Sequence, residues 1–398
     1  MKVLVSAYAC APVRGSEHGT GWAWAKAIAR HNETWVLTRG SKRDAIEAAM
    51  TGEPDLRINF VYLDLPARAR RWKRGRSGVH LYYFLWQILA WRTARRLHKE
   101  IEFDVAHHLT FAVDWMPAGV AWVRGLPTVW GPVGGTTSTP PQLWRWLGPR
   151  GWFAELMKEA ACRPARRLFG DATARRAALV VAQNDDVAKR FSSSRTVVEP
   201  NVAIDCTDVL DATSTRDRAQ PRLAGERRAI FAGRLVPLKG LRLAVATMSE
   251  PAAGEWVLDV YGDGPERTSA ASRAQRLGLD NRVRFHGTQP RDELLRQLAT
   301  ADVLFLPSFH DAGGWVVAEA LEVGCPVLCL DLGGPPNLIG DSGGVAISPG
   351  DDDLPHTLAR ALSDAAECTP ARHRWIADRI PELTDEWYAS VAPAKVSR

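Results

Sequence analysis

The sequence predicts an α/β fold of two domains, each built around a doubly wound parallel sheet. Short apolar segments alternate with helical stretches along the chain, as in consecutive β-α-β units. The chain has 398 residues, which is long for one hydrophobic core. A polar stretch at 211–228 separates two regions with this alternation. We therefore predict a first domain at 1–200, a second at 201–379, and a C-terminal helix at about 380–398 that packs back on the first.

The strands of both domains are predicted from apolar runs. In the first domain these runs are Lys2 to Ser6, Thr34 to Thr38, Ile58 to Leu63, Val105 to Leu109, Thr128 to Trp130 and Leu179 to Ala182. In the second domain they are Ala229 to Ala232, Trp256 to Tyr261, Val283 to His286, Val303 to Leu306 and Val327 to Leu330. Because helical stretches separate the runs, both sheets are expected to be parallel.

Composition is that of an ordinary globular protein. With 46% hydrophobic and 24% charged residues the chain has enough apolar material for two cores. The six cysteines form no C-x-x-C pair, which favours buried thiols in a reducing compartment. The N-terminal apolar run is short and breaks at Pro12, so it is interpreted as a first strand and not as a signal peptide. We expect a cytoplasmic protein.

The net charge of +6 is concentrated in one region. Between Ala67 and Glu100 ten Lys or Arg face one Glu, and they bracket the aromatic run Val79 to Trp91, which is too short to span a bilayer. Two readings stay open: a core helix with solvated basic flanks, or a helix at the surface of an anionic membrane with Tyr82, Tyr83, Trp86 and Trp91 at the interface. A second basic and aromatic stretch runs from Trp144 to Arg176. No nucleic-acid module accompanies the charge, so no nucleic-acid partner is expected.

A ligand site is predicted between Leu304 and Gly334. Two carboxylates, Asp311 and Glu319, flank a glycine-rich turn with Gly313 and Gly314 that opens a helix at Trp315. The free N–H groups and dipole of such a helix start favour an anion. The sequence therefore predicts an anion site at the end of a buried strand.

Two further loops in the second domain follow predicted strands. The segment FAGRLVPLKG places Arg234 and Lys239 five residues apart after a buried strand, and two fixed cations there can stabilise negative charge. The segment YGDGPE places Gly262 and Gly264 in a similar turn. Both loops are predicted to belong to the same site.

The first domain also offers candidate loops. Gly15, Ser16 and Glu17 lie in a glycine-rich strand-to-helix turn that lacks the G-x-G-x-x-G spacing of dinucleotide-binding dehydrogenases. Gly134 and Gly135 form a second such opening in WGPVGG.

Two histidines end the predicted strand in FDVAHHLTF. One of His107 and His108 is expected to face outward at the carboxyl edge of the sheet, where ligands bind. Which one does so stays open.

Taken together, these motifs resemble those of the fourth family of retaining glycosyltransferases, the glycosyl transferases group 1. That family has two Glu separated by seven residues before a Gly-x-Pro turn, and here the first Glu is replaced by Asp311. FAGRLVPLKG, YGDGPE and the interdomain segment EPNVAID are similar to family motifs as well. The resemblance implies the GT-B fold, in which two Rossmann-like domains face each other across a cleft.

The resemblance also implies roles for these residues. Glu319 would hold the donor ribose, Arg234 and Lys239 the diphosphate, and Asp311 with the amides of Gly313, Gly314 and Trp315 the transferred sugar. Gly262 and Gly264 would pack near the nucleotide. His107 or His108 would hydrogen-bond the sugar, and the loops with Gly15, Ser16, Glu17, Gly134 and Gly135 would approach donor or acceptor.

The implied activity is retaining transfer of a sugar from a nucleotide diphosphate sugar to a hydroxyl group. The acceptor would be a glycan or a lipid-linked molecule in exopolysaccharide, lipopolysaccharide or glycolipid assembly. Two alternatives from other classes are a noncatalytic protein that binds sugar nucleotides and a nucleotide-sugar epimerase.

No cofactor and no metal ion are expected. The acidic runs Asp351 to Asp353 and Asn184 to Asp186 resemble metal-binding clusters, but each precedes a helical stretch. They are interpreted as helix N-terminal acids.

Overall fold

The structure is a computed structural model that describes residues 1–12, 17–66, 78–214 and 226–392. The chain forms two compact units. Unit 1 comprises 1–136, 160–203 and 377–398, and unit 2 comprises 137–159 and 204–376. The chain therefore passes from one unit to the other at 136/137, 159/160, 203/204 and 376/377.

Unit 1 contains a parallel sheet in the order β3-β2-β1-β4-β5-β6-β7. Its strands are β1 (Lys2–Ala7), β2 (Glu33–Thr38), β3 (Ile58–Tyr62), β4 (Val105–Thr110), β5 (Thr128–Val133), β6 (Leu179–Ala182) and β7 (Thr196–Val198). The first six confirm the segments predicted from the sequence. The edge strand β7 was not predicted, because three residues carry too little periodicity.

Helices connect the strands of unit 1. They are α1 (Glu17–His31), α2 (Arg43–Met50), α3 (Val79–Ile101), α4 (Trp144–Ala165), α5 (Asp171–Ala174) and α6 (Asp185–Arg190). Helix α4 has a non-helical residue at Gly148, and its first part is assigned to unit 2. The C-terminal helix, α14 (Ile380–Val391), packs against α1 within unit 1.

Helix α3 has one buried face. Tyr82, Tyr83 and Trp86 are packed in the core of unit 1 beneath the sheet, whereas Trp91 is half-buried. The first three aromatic residues therefore serve the core and cannot be the interfacial residues that one reading assigned to them. No helix within the four described ranges is long and apolar enough to cross a bilayer.

Unit 2 contains a parallel sheet in the order β10-β9-β8-β11-β12-β13. Its strands are β8 (Arg227–Ala232), β9 (Trp256–Tyr261), β10 (Val283–Gly287), β11 (Val303–Leu306), β12 (Val327–Leu330) and β13 (Gly344–Ile347). This is the strand order of a doubly wound Rossmann sheet. The prediction of two such domains is confirmed, with β13 as an additional edge strand.

The helices of unit 2 cover both faces of its sheet. They are α7 (Cys206–Ser214), α8 (Leu241–Thr247), α9 (Arg267–Arg276), α10 (Arg291–Ala299), α11 (Trp315–Val323), α12 (Pro335–Ile339) and α13 (Leu354–Ala366). Leu143 and Leu147, from the segment 137–159, are fully buried in the same core as Phe231 and Phe305. No local pattern in the sequence indicates that this segment joins the second unit, so the predicted boundary at residue 200 does not account for it.

Candidate functional site

The candidate site of unit 2 lies where the strand order of its sheet reverses, between β8 and β11. Chain connections leave these two strands in opposite directions, which opens a crevice at their carboxyl ends. The loop after β8 carries Arg234 and Lys239, and the loop after β11 carries Asp311. The topology thus brings the two predicted motifs together.

The two loops are joined through their backbones. Phe309 N donates to Leu238 O at 2.8 Å, and Ser308 Oγ donates to the same oxygen at 3.2 Å. Gly240 has a φ of 73°, and a Cβ at this position would collide with Pro307 O. Glycine is therefore required where the loop after β8 meets the loop after β11.

Lys239 and Asp311 form an ion pair across these loops. Lys239 Nζ lies 2.5 Å from Asp311 Oδ2, and Asp311 Oδ1 accepts a hydrogen bond of 3.1 Å from Gly314 N. Gly314, with a φ of 57°, directly precedes α11. The Asp311 carboxylate therefore holds both the Lys239 ammonium group and the start of α11. It accepts the hydrogen bond of the Gly314 amide, which was predicted to contact the sugar.

Arg234 contributes a second cation with a different environment. It is exposed, and its guanidinium has no hydrogen bond or ion pair with any described residue. It follows Gly233, which ends the turn after β8. An unpaired cation at a strand end is available to an anionic ligand.

Glu319 lies one turn into α11 and is held by a partner that the sequence reasoning missed. Its Oε1 accepts a hydrogen bond of 2.7 Å from Arg291 Nε, and Arg291 also pairs with Asp208. Burial raises the pKa of the Glu319 carboxyl, and the charge of Arg291 opposes that rise. No described residue hydrogen-bonds to Glu319 Oε2, so this oxygen can accept a ligand hydroxyl.

Gly262 and Gly264 lie in the loop after β9, directly against the loop after β8. A Cβ on Gly262 would collide with Gly233 O, and a Cβ on Gly264 with Leu235 O. Leu235 N also donates to Asp263 O at 3.0 Å. The two glycines therefore shape the wall beside Arg234.

The loop after β12 completes the rim of the site. Gly334 N donates to Asp311 O at 2.8 Å, and Gly333, with a φ of 68°, lies against the same carbonyl. Gly313 belongs to the same turn, because Gly334 also lies against its amide. Asp311 is therefore fixed through both its backbone and its side chain.

His310, next to Asp311, was not singled out from the sequence. Its Nδ1 is buried without a hydrogen-bond partner in the described chain. Burial lowers the pKa of its imidazole, and Lys158 lowers it further. A single histidine beside a motif gave no signal that could have identified it.

The remaining site candidates belong to unit 1. His107 is buried, with Nδ1 2.7 Å from Tyr388 Oη and Nε2 2.8 Å from Gly131 O. His108 is buried as well, with Nε2 3.0 Å from Tyr83 Oη and Nδ1 3.2 Å from Ser6 Oγ. The expectation that one imidazole faces outward was wrong, because successive side chains of β4 point to opposite, covered faces of its sheet.

Both histidines are poor proton carriers at neutral pH. Burial lowers the pKa of His107 to about 4 and that of His108 to about 3. Each imidazole is therefore neutral in the folded protein, and each has a partner on both nitrogens.

The predicted glycine loops of unit 1 are partly described. Gly15 and Ser16 lie outside the described residues. Glu17 begins α1, and its Oε1 accepts a hydrogen bond of 2.7 Å from Phe111 N. Burial raises the pKa of this carboxyl. Glu17 thus ties α1 to the chain that leaves β4.

Gly134 and Gly135 pack on a buried ion pair. Gly134 N donates to Ala112 O at 2.9 Å, and a Cβ on Gly135 would collide with the Asp114 carboxylate. That carboxylate lies 2.8 Å from Arg166 Nε. The backbone of this loop is fixed by the pair beneath it.

Both acidic runs begin helices. Asn184 Oδ1 accepts a hydrogen bond of 3.1 Å from Val187 N at the start of α6. Asp351 Oδ1 accepts a hydrogen bond of 3.0 Å from Asp353 N, and Asp351 Oδ2 accepts one of 3.0 Å from Thr357 Oγ1 in α13. These contacts give each run a structural role.

Part of the chain is similar in sequence to known glycosyltransferases. Residues 213–379 match the family model of glycosyl transferases group 1. The chain is 32% identical over 163 residues to a 2-deoxystreptamine glucosyltransferase of Streptomyces kanamyceticus, covering 38% of this chain and 41% of that protein. It is 31% identical over 177 residues to a D-inositol 3-phosphate glycosyltransferase of Corynebacterium glutamicum, covering 41% of this chain and 40% of that protein. The chain thus matches about two fifths of the length of these relatives.

Among solved structures, the chain resembles HepE of Anabaena, crystallised with UDP and glucose. The two share 18% identity with a TM-score of 0.59, over 98% of this chain and 100% of that one. This likeness extends over both units and shows the fold. Residues 213–379 are thus similar to the glycosyl transferases group 1 family, and the chain as a whole has the GT-B fold.

Proposed function

We propose that this protein is a retaining glycosyltransferase that moves a sugar from a nucleotide diphosphate sugar to a hydroxyl acceptor. The observation that carries the proposal is the grouping of Arg234, Lys239, Asp311 and the start of α11 at the switch point of one sheet. Such a site combines cations for a diphosphate with a carboxylate for sugar hydroxyls. The UDP and glucose in the HepE structure support a nucleotide-sugar donor.

Each residue has a distinct role in this proposal. Arg234 and Lys239 bind the diphosphate and stabilise the charge that grows as it leaves. Asp311 accepts hydrogen bonds from the transferred sugar, and Glu319 Oε2 accepts one from the ribose. Arg291 is a positioning residue, because its contact with Oε1 orients the Glu319 carboxylate.

The proposal predicts donor-dependent stabilisation and transfer. Screening UDP-, GDP- and ADP-sugars by thermal shift identifies the donor, and nuclear magnetic resonance then gives the anomeric configuration of the product. We expect one nucleotide class to raise the melting temperature and the product to keep the donor configuration. An inverted product would contradict the retaining mechanism, and an unshifted melting temperature with every donor would contradict the donor site.

A noncatalytic sugar-nucleotide-binding protein is the second candidate. It is favoured by one observation: both oxygens of Asp311 already have partners, Lys239 and the Gly314 amide. Such a protein would bind a nucleoside diphosphate and release no sugar. An epimerase, the third candidate, would alter the donor sugar without an acceptor.

We also propose a glycan or lipid-linked acceptor and contact with the cytoplasmic face of an anionic membrane. The support is the basic region from Ala67 to Lys99, of which 67–77 lie outside the described residues. Each basic residue near such a surface contributes about 1 kcal/mol, and salt screens it. Sedimentation with anionic vesicles should therefore show salt-sensitive binding. Equal partitioning to neutral and anionic vesicles, or none to either, would remove this part of the proposal.

A further inference from the structure

An open apolar groove of about 250 Å³ lies in unit 1, beside α3. Phe84, Ile88 and Trp91 line one wall, at the spacing that places side chains on one face of a helix. Trp122 and Phe169 line the groove as well, and the Phe169 ring centroid lies 5.3 Å from that of Phe84. Phe84 and Trp91 also pack against the edge of the core cluster of unit 1, and the motifs of the candidate site do not include the groove.

Most groove residues are aromatic or aliphatic, with the buried Gln87 as the polar member of the lining. Ile88 is 38% exposed, and the four aromatic residues of the lining are partly exposed. An accessible apolar groove in a folded unit favours an apolar ligand. A hydrocarbon chain fits a narrow groove of this lining, since its methylene groups need no hydrogen-bond partners.

Cations lie on two of the aromatic rings that line this groove. The Arg95 guanidinium lies 5.4 Å from the Trp91 ring centroid, and the Arg176 guanidinium lies 4.8 Å from that of Trp122. The two tryptophan residues are in contact, because Trp91 Nε1 donates to Trp122 O at 3.3 Å. Two guanidinium groups therefore lie beside the groove on residues that contact each other.

The charge around the groove has one sign along α3. No acidic residue occurs between Gly78 and Lys99, and neither Arg95 nor Arg176 has a carboxylate partner among the residues that the structure describes. An apolar groove flanked by cations that have no carboxylate partner among the described residues is complementary to an amphiphile with an anionic head.

We propose that this groove binds one hydrocarbon chain of an anionic membrane phospholipid, with the lipid phosphate contacting Arg95 and Arg176. The groove would add a defined lipid site to the proposed membrane contact, which surface charge alone does not provide. The lipid site therefore rests on the membrane contact in the proposed function. It is independent of the nucleotide chemistry of unit 2.

The first test changes the apolar wall. Ile88→Gln replaces an accessible groove residue, and Leu277→Gln is the matched control, since Leu277 is 41% exposed on unit 2. We expect Ile88→Gln to lower partitioning to phosphatidylglycerol vesicles about tenfold at low and high salt, because a buried aliphatic contact is lost. Leu277→Gln should partition like the parent. Circular dichroism confirms that both variants are folded.

The outcomes separate the groove from the general membrane contact. Salt-sensitive binding of the parent that Ile88→Gln leaves unchanged would overturn the lipid site and leave the electrostatic proposal standing. No vesicle binding by the parent would overturn both. A change from dimer to monomer in Ile88→Gln would show that a second copy of the chain fills the groove, and would overturn the lipid site.

The second test changes the cations. The double variant Arg95→Ala with Arg176→Ala should lower partitioning to anionic vesicles about fivefold per arginine, with little effect on neutral vesicles. The control is Arg276→Ala with Arg360→Ala, two exposed arginines of unit 2. An equal loss in both double variants would show a general charge effect and overturn the phosphate contact.

Discussion

At the residue scale, the ion pair between Lys239 and Asp311 links two proposed roles. The family resemblance assigns them to separate contacts, Lys239 to the diphosphate and Asp311 to the transferred sugar. In the structure they lie 2.5 Å apart, so each neutralises the other before a ligand binds. In the proposed function, a bound diphosphate would compete with Asp311 for Lys239, and the Asp311 carboxylate would then be available to the sugar hydroxyls.

Lys239→Ala and Asp311→Asn should therefore have different effects. Lys239→Ala removes a cation from the diphosphate, so both nucleoside diphosphate affinity and turnover should fall. Asp311→Asn keeps the acceptor for Gly314 N and removes the carboxylate that pairs with Lys239, so nucleotide affinity should be equal to or higher than that of the parent. Asp311→Asn should lose about 3 kcal/mol of transition-state stabilisation, so its turnover should fall roughly a hundredfold. Calorimetry and turnover with the best donor measure the two effects.

The control for these variants is Lys26→Ala, which breaks an ion pair with Glu53 in unit 1. Its nucleotide affinity and turnover should match the parent. If Asp311→Asn transfers sugar as fast as the parent, Asp311 has no contact with the reacting sugar. That result would favour a noncatalytic sugar-nucleotide-binding protein or a different active site.

The buried histidines should make unit 1 sensitive to acid. The folded-state pKa values of His107 and His108 are about 4 and 3, below the ordinary value of 6.5. The unfolded chain therefore binds more protons below pH 6.5, and stability falls as the pH falls from there towards 4. Once the pH is below the folded-state pKa, the loss can reach about 3 kcal/mol for His107 and about 5 kcal/mol for His108.

Removing one titrating group tests this assignment. His107→Gln keeps a donor for Gly131 O and an acceptor for the Tyr388 hydroxyl, so it should flatten the pH dependence of urea unfolding. His356→Gln, at a half-exposed position, is the control and should keep the parent slope. Identical slopes in all three proteins would contradict a neutral, buried His107.

At the element scale, the site depends on how closely the loops approach each other. Gly240→Ala should be more damaging than Gly278→Ala, although both glycines have φ near 70°. A Cβ at Gly278 meets nothing, so only the backbone strain of about 1 kcal/mol is expected. A Cβ at Gly240 collides with Pro307 O and displaces Lys239.

Two measurements separate strain from displacement. Urea unfolding should show a larger loss for Gly240→Ala, and calorimetry should show that only this variant loses nucleoside diphosphate affinity. Equal affinity in both variants would mean that the contact between the loops does not position Lys239.

The same elements predict that transfer needs no divalent metal ion. Arg234, Lys239 and the start of α11 supply positive charge where the diphosphate is proposed to leave. Turnover in EDTA should therefore equal turnover without it. Activity that is lost on chelation and restored by magnesium or manganese would refute the assignment.

At the scale of the whole molecule, a bound nucleotide should protect one unit selectively. The loops after β8, β9 and β11 contain the proposed contacts and all belong to unit 2. At a hundredfold excess over the dissociation constant, a nucleoside diphosphate stabilises the fold by about 2.7 kcal/mol. Hydrogen exchange should therefore slow in 233–240, 262–266 and 307–314, and remain unchanged in α3. Protection confined to unit 1 would place the nucleotide elsewhere.

Much of this architecture could be predicted from the sequence because central parallel strands are continuous apolar runs. Val303–Leu306 and Val327–Leu330 are recognisable in this way, and the turns after them carry the glycines. The edge strands Thr196–Val198 and Gly344–Ile347 are short and partly exposed, so their pattern is weak. Local pattern therefore identifies the centre of each sheet better than its edges.

Long-range contacts of the site were not predictable in the same way. Arg291 is 28 residues from Glu319 in the sequence, and no local motif links them. His107 and His108 are buried on opposite faces of the sheet, and their burial depends on which helices cover these faces. These contacts follow from tertiary packing, which a single sequence does not show.

The repeated passage of the chain between units limits how this protein can be recombined with its relatives. A hybrid joined at residue 200 would fill the core of one unit with Leu143 and Leu147 from the wrong parent. It would also place the hydrogen bond between His107 and Tyr388 across two different parents. Exchanging whole units would need four junctions, at 136/137, 159/160, 203/204 and 376/377. The two units of this chain therefore cannot be exchanged with those of a relative by a single cut.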